Sequence, residues 1–427
     1  MHSFDITIES ISKIEGHTDL DVRVRKGKVE YVKLKISENK RFYTQAIRGK
    51  PAINAPYLMS RICGTCSIAH LLACIQAVEN AMNIRPSEQT ILLRKLAMYG
   101  LYIRDHALHL YMFSLPDVLG KDSILSFDEN NPKEHQLIHD CFDVKAVGNA
   151  LSVLAAGKAV HAPFPSVGGH SKIPTKNEQL ELVRKLQTIR KPILDLIEIY
   201  MPEYFNFSNE TDYISLTSPD YNFYTGDYIC SNKQVCIPKE KFIEHLHHKV
   251  IPYSQASGYD FEGETYMVGS LARLNLNEKY LHANTKRDAK KALKIFPSKN
   301  TFHNNLAQAI EILHSIDSSI DILKNTDFKE EPINAPIRAG KGVGIVEAPR
   351  GSLYYLVEVD KEGKIINGDI VVPTGQNQIN IEQDIKKLVQ LHLEKPLEII
   401  QLEIEKLIRA YDPCMSCAAH FLKINFL

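Results

Sequence analysis

The chain has 427 residues, with Lys+Arg and Asp+Glu equal at 51 each and a formal net charge of zero. That length is ample for a large buried core, and the balanced charge leaves no basic stripe for nucleic acid and no polybasic segment for a membrane surface. Apolar runs such as "HLLACIQAV" break well short of a bilayer span, and "MHSFDITIES" lacks the charged start and apolar core of a signal peptide, so a soluble cytoplasmic protein is expected.

From residue 4 to about 38, β-branched residues alternate with polar ones, and the "RKGK" turn predicts a small antiparallel sheet. From about 55 the apolar spacing becomes three to four, which predicts helices through "SIAHLLACIQAVENAMN", "SEQTILLRKLAMYGLYIRDHALHLYMF" and "HQLIHDCFDVKAVGNALSVLAAGKAVH", with Ser87 as an N-cap. "HAPFPSVGGH", 161 to 170, reads as a turn before one long helix from about 177 to 205. The stretch 206 to 282 is rich in Tyr, Asn and Gly and has little periodicity. Helices resume from 283 to 326. "GVGIVEAPRGSLYYLVEVDKEGKIINGDIVVPT" then reads as a strand, a hairpin turned at "DKEGK" and a second strand, before helices near 379 to 393 and 396 to 409. With no repeat and no linker, one domain is expected across 1–427: a β region at 1–40, a helical core at 55–330, a β hairpin at 341–374, and C-terminal helices with a cysteine motif at 379–420. The expected class is α+β, predominantly helical, with small antiparallel β elements flanking a central helical core.

Eight cysteines are too few for a disulfide scaffold in so long a chain. Four form two C-x-x-C pairs, Cys63/Cys66 in "RICGTCSIAH" and Cys414/Cys417 in "DPCMSCAAH". Cys74, Cys141, Cys230 and Cys236 are scattered and are expected to be buried apolar residues or incidental thiols. Four thiolates suit a tetrahedral zinc or an iron–sulfur site. A zinc ribbon, however, closes within a few tens of residues, whereas here nearly the whole chain lies between the pairs. A thioredoxin-like redox motif lacks its leading βαβ unit. Gly64 is expected to permit a sharp turn between Cys63 and Cys66, Arg61 to offset thiolate charge, and a helix starting at about Ser67 to lower thiol pKa values.

These two motifs, R-x-C-G-x-C and D-P-C-x-x-C-x-x-H, resemble the signatures of the [NiFe]-hydrogenase large subunit. "KIEGH" at 13–17, "RDHALHLY" at 104–111, "EAPRG" at 347–351 and "VPTGQN" at 372–377 resemble further family motifs, in the family's order. The resemblance spans nearly the whole chain and looks most like the soluble, cofactor-coupled or heterodisulfide-reductase-linked branch.

The resemblance implies that Cys63, Cys66, Cys414 and Cys417 bind nickel, with Cys66 and Cys417 also bridging to an iron that carries CO and cyanide. It implies that Cys414 takes the proton from H2 and that Glu15 relays it. Arg350 would be a fixed cation over the metals, partnered by Asp105 and Asp412. Pro373 and Thr374 would line the diatomic ligands, and His70 would donate to Cys417. His109 reads as a satisfied core histidine. Partners implied are an iron–sulfur small subunit, further electron-transfer subunits of flavin or heterodisulfide-reductase type, and nickel-insertion maturation proteins. Two rivals are a non-catalytic four-thiolate zinc subunit and the quinone-site subunit of respiratory complex I, which shares the fold but generally lacks these cysteines. The chain departs from the family at Thr44, where relatives carry a glutamate that binds Mg2+ with a C-terminal histidine, here His420. A hydroxyl is the poorer ligand for a hard cation, so that ion site is expected to be missing or rebuilt. After "EAPRGSL", where relatives show histidines, Tyr354, Tyr355 and Leu356 follow.

Overall fold

In the N-terminal segment the alternating residues fold as expected. β1 (Phe4–Ile8), β2 (Thr18–Arg25) and β3 (Lys28–Ile36) form an antiparallel meander in a computed structural model that describes residues 2–38 and 42–419. Leu20, Val22 and Val24 of β2 face inward while Asp19, Asp21 and Arg23 face outward, the period of two that a half-buried strand requires.

The centre is α1 (Ser67–Met82), buried on nearly every side. α2 (Glu88–Ala107) is capped by the Ser87 hydroxyl, which accepts from the Thr90 backbone N–H, and runs on as a π-helix over Leu108–Ser114. α3 (Pro132–Ala156) crosses α2 closely: a Cβ on Gly100 would lie 2.7 Å from the Ser152 nitrogen, and one on Gly148 2.7 Å from the Arg104 nitrogen. The long helix expected from 177 to 205 is two, α4 (Lys176–Thr188) and α5 (Arg190–Tyr200). Pro192 explains the break, because it has no N–H to give and its ring crowds the carbonyl of Thr188.

The stretch without periodicity holds β4 (Asp212–Thr217), β5 (Tyr228–Ser231), β6 (Cys236–Pro238), β7 (Leu246–Val250), β8 (Ser257–Phe261) and β9 (Tyr266–Met267). They form a four-stranded sheet in the order β9-β4-β5-β6 and a β7–β8 hairpin. Cys230 and Cys236, expected as incidental thiols, are opposite each other in the β5–β6 register and form a disulfide. That corrects the sequence reading. Spacing six residues apart around a tight reversal brings two side chains to facing strand positions. Cys74 and Cys141 are free and buried.

After α6 (Ser270–Asn277) and α7 (His303–Asn325) come β10 (Gly340–Ala348), β11 (Gly351–Val359) and β12 (Ile365–Val371), an antiparallel sheet in chain order. The reversal between β10 and β11, at Pro349 and Arg350, was not expected from the sequence. Gly340, Gly342 and Gly344 lie flat on the backbone of α1: a Cβ on any of them would fall 2.1–2.2 Å from a backbone atom of Ala73, Ala77 or Ala81. This contact fixes the strand that leads into Arg350 against the helix that begins after Cys66. α8 (Pro373–Leu391) and α9 (Leu397–Ala410) close the fold and deliver the second cysteine pair.

Candidate metal centre

Four sulphurs from the two ends of the chain meet. The Sγ atoms of Cys63, Cys66, Cys414 and Cys417 are buried and all lie within 4.8 Å of one another. Cys63 and Cys414 are 3.4 Å apart, Cys66 and Cys417 3.1 Å, and Cys414 and Cys417 2.8 Å. Such a donor set suits a soft or borderline metal ion. Burial pushes the Cys414 and Cys417 thiols up, whereas hydrogen bonds from Cys414, Cys417 and Cys66 pull Cys63 down. Hydrogen bonds from Cys414 and Cys417 also pull Cys66 down, yet burial and the charge at Cys63 leave it raised although it caps α1. The expected lowering by the helix start is therefore overridden there. Gathering four sulphurs away from water makes full ionisation costly unless a cation sits among them.

Two other expectations for the first loop need correction. Gly64 has an ordinary φ and open space where a Cβ would go, so its backbone does not demand glycine. Arg61 is exposed. The buried cations acting on these sulphurs are Arg350 and Arg104, and the Arg104 Nη2 donates to the Thr65 carbonyl at 2.7 Å, holding the loop to α2.

A small cavity beside Cys66, Cys414 and Cys417 is lined by His70, Ala348, Pro349, Arg350, Pro373 and Thr374. Arg350 projects from the β10–β11 reversal. It donates through Nη1 to Asp105 Oδ2 at 2.6 Å, through Nη2 to Asp412 Oδ1 at 2.9 Å, and through Nε to the Asp412 carbonyl at 2.9 Å. Asp412 adopts a left-handed φ of 51°, a strained conformation held at the turn into Pro413 and Cys414. The Thr374 Oγ1 accepts from the Cys414 N–H at 2.9 Å, which leaves its own O–H to donate elsewhere. The Cys66/Cys417 pair, Arg350 and Thr374 line the same cavity.

Glu15 sits on the other side. Its Oε2 accepts from the Cys414 Sγ at 3.0 Å and from the Ser416 N–H at 3.1 Å, and burial raises its pKa above the usual carboxylate value. Gly16 has φ +85° and a Cβ there would lie 2.9 Å from the Met415 Cβ, so this loop closes on the cysteine pair only with glycine. Asp117 anchors the loop, taking Lys13 Nζ at 2.6 Å and Arg409 Nε at 2.6 Å.

His70 lies on α1 one turn beyond Cys66. Its Nε2 is 3.6 Å from the Cys417 Sγ and its Nδ1 is 2.7 Å from the Tyr355 hydroxyl. His109 packs in the interior with Nδ1 2.6 Å from Gln308 Oε1 and Nε2 2.8 Å from the Arg409 carbonyl. Thr44 is buried in the short helix Tyr43–Ala46, and His420 lies outside the described residues.

Sequence reasoning missed Arg104, Tyr355 and Arg273. Arg104 stood inside a quoted motif and Tyr355 was noted only as a departure. Arg273 carried no motif, although it binds Glu311 Oε1 at 2.7 Å, Glu347 Oε2 at 2.9 Å and the Pro349 carbonyl at 2.9 Å, so it holds the Arg350 turn from behind.

Fold and site together define a metalloprotein whose buried four-cysteine centre is flanked by a carboxyl group on one sulphur and a fixed guanidinium over the cavity. The nickel-dependent hydrogenase family matches residues 41–144 and 249–420. Sulfhydrogenase 1 subunit alpha of Pyrococcus furiosus is 30% identical, over 98% of this chain and 98% of its own length. Sulfhydrogenase 2 subunit alpha of the same organism is 29% identical, over 98% of this chain and 100% of its own. Among solved structures, an NAD+-reducing [NiFe]-hydrogenase in the H2-reduced state superimposes with a TM-score of 0.87 at 25% identity, covering 98% of this chain and 99% of that one. The chain belongs to the nickel-dependent hydrogenase family, among its large subunits, and is an oxidoreductase of that class.

Proposed function

We propose that this chain is the catalytic subunit of a cytoplasmic [NiFe]-hydrogenase, cleaving H2 reversibly and heterolytically at a nickel–iron centre and passing electrons to a partner iron–sulfur subunit. The observation that carries the reading is the Glu15 carboxyl 3.0 Å from the Cys414 Sγ, within a buried four-sulphur cluster. A closed structural zinc site has no use for a proton acceptor on one ligand.

When bound, the nickel–iron pair supplies a soft acceptor for the hydride half of H2. The protein supplies the rest. Cys63, Cys66, Cys414 and Cys417 would hold nickel, and Cys66 and Cys417 would also be ligands to iron. Cys414 takes the proton at Sγ, and Glu15 receives it at Oε2 and passes it outward, a task helped by a carboxyl whose pKa burial lifts toward working pH. Arg350, fixed by Asp105 and Asp412, presents positive charge over the open side without needing to move when charge develops. Thr374, whose oxygen already accepts from the Cys414 N–H, would donate its O–H to a cyanide on iron, and Pro373 lines the same wall.

No helix is long and apolar enough to cross a membrane among the described residues. The four thiolates are all committed to one centre, and Cys74 and Cys141 are isolated and buried, so the electron wire lies in the partner. Flavin or heterodisulfide-reductase subunits beyond it, and maturation proteins that insert nickel, complete the assembly.

Metal analysis with infrared spectroscopy of the purified complex tests the reading. Nickel, iron in excess of it because the partner carries iron–sulfur clusters, and CO and cyanide bands are expected. Zinc without diatomic bands would sink it in favour of the structural subunit.

A further inference from the structure

We propose that Tyr355 is a positioning residue that fixes which ring nitrogen of His70 carries the proton, making His70 a donor to the bridging sulphur of Cys417. The inference rests on the nickel–iron reading above and concerns a residue at which this chain departs from the family pattern.

Tyr355 and His70 are each 1% exposed, so neither ring can turn to water. The Tyr355 oxygen and His70 Nδ1 are 2.7 Å apart, and among the described residues His70 is the hydrogen-bond partner of that hydroxyl. One proton lies between oxygen and nitrogen, and it can point either way. If Nδ1–H donated to the phenol, the phenolic proton would be buried without an acceptor, which folded interiors avoid. A neutral imidazole in that state would also aim its Nε2 lone pair at the Cys417 sulphur, 3.6 Å away, so that two electron-rich atoms would face each other. With the phenol donating to Nδ1, both problems vanish. Nε2 then carries hydrogen and donates to sulphur, and the O–H···N and N–H···S bonds polarise each other in series.

The fold makes the contact specific. Tyr355 stands opposite Gly344 in the β10–β11 register, and Gly344 lies on the α1 backbone at Ala73. That flat contact brings the tyrosine of β11 onto the helix turn carrying His70. The ring planes meet at 74°, edge to face, which directs the hydroxyl at the imidazole edge.

A thiolate that loses an N–H donor gives more electron density to its metals. In the assembled complex, Tyr355→Phe is therefore expected to move the CO and cyanide bands together to lower wavenumber, with nickel and iron content unchanged. Tyr355→His, whose ring N–H can replace the phenol as donor to Nδ1, is expected to restore them. His70→Ala is expected to move the bands the same way, and adding Tyr355→Phe in that background to move them no further. A purely structural tyrosine would leave the bands in place, and a shift of equal size with and without His70 would show that Tyr355 reaches the centre by another route; either result overturns the proposal. Nitrogen-15 histidine labelling of the unmutated complex gives a test that does not depend on any variant folding: His70 Nδ1 should resonate as an unprotonated nitrogen, and a protonated Nδ1 would reject the assignment. Wild-type complex without diatomic bands would count against the nickel–iron reading itself, and the Nδ1 measurement would still decide the role of Tyr355.

Discussion

Glu15 approaches Cys414 through two bonds of different character, an S–H donor and the Ser416 backbone N–H, both ending on the same Oε2. Gln in that place keeps the shape and one acceptor oxygen but cannot pick up and release a proton. Glu15→Gln is therefore expected to lower turnover by about 10²-fold or more while leaving the infrared bands of the centre unmoved. Near-normal turnover would remove the relay. At this scale the four cysteines stood out by their paired spacing, whereas Glu15 and Arg350 were singled out only by the resemblance of "KIEGH" and "EAPRG" to family motifs, and both lie beside the sulphurs. Tyr355 was legible only as a departure, since its role depends on which helix lies beneath its strand. Arg273 was not legible at all, because its partners lie at 311, 347 and 349 and no local spacing links them.

At the scale of elements, the contact between β10 and α1 matters most. Gly342→Ala would place a methyl group 2.1 Å from the Ala81 nitrogen, a clash that only separation of strand and helix relieves. The expected loss is about 1–3 kcal/mol of stability, read as a lower melting temperature, together with lower nickel content because Arg350 moves with the strand. An unchanged melt would show that the strand yields easily. α7 makes a second prediction through His314. Its ring is buried beside Tyr99, Tyr221 and Phe223, its Nδ1 accepts from the His282 N–H at 3.0 Å and its Nε2 lies 3.4 Å from the Ser318 hydroxyl, while burial pulls its pKa down to about 4. The unfolded chain takes up that proton near pH 6.5 and the folded chain only near 4. The contribution is thus complete above pH 6.5 and is lost as pH falls toward 4, up to about 3 kcal/mol. Denaturation between pH 7 and 4.5 should show a shallower loss in His314→Gln than in the wild type; equal slopes would reject the assignment. Helices and the N-terminal sheet were readable because their apolar periods are strong. β4 was not, being buried on both faces with no alternation to betray it, and its partner β9 runs parallel from fifty residues away.

For the molecule as a whole, a buried ionic cluster ties the sheet to the helices. Arg273 spans Glu311 of α7 and Glu347 of β10, and all three side chains are at most 2% exposed. Arg273→Gln would leave two carboxylates buried without their cation, and is expected to cost about 3–5 kcal/mol and reduce the yield of assembled complex. Stability close to the wild type by chemical denaturation would show that water or a proton replaces the guanidinium. The reading of fold class needed none of this cluster, since element types alone decide between a helical core and a sheet-based one. The Cys230–Cys236 bridge lay within reach of the sequence, had the hairpin around it been recognised.

The two halves of the metal centre are separated by 351 residues. At roughly 5–20 residues per second, a ribosome makes Cys414 about 20–70 s after Cys63. For that interval the first pair of thiols exists without the second, and Glu15 has no sulphur to serve. Any metal held by Cys63 and Cys66 alone would have two ligands instead of four and would be readily lost or exchanged. Timing thus becomes part of the design: nickel delivered during synthesis finds half a site, and nickel delivered afterwards finds all of it.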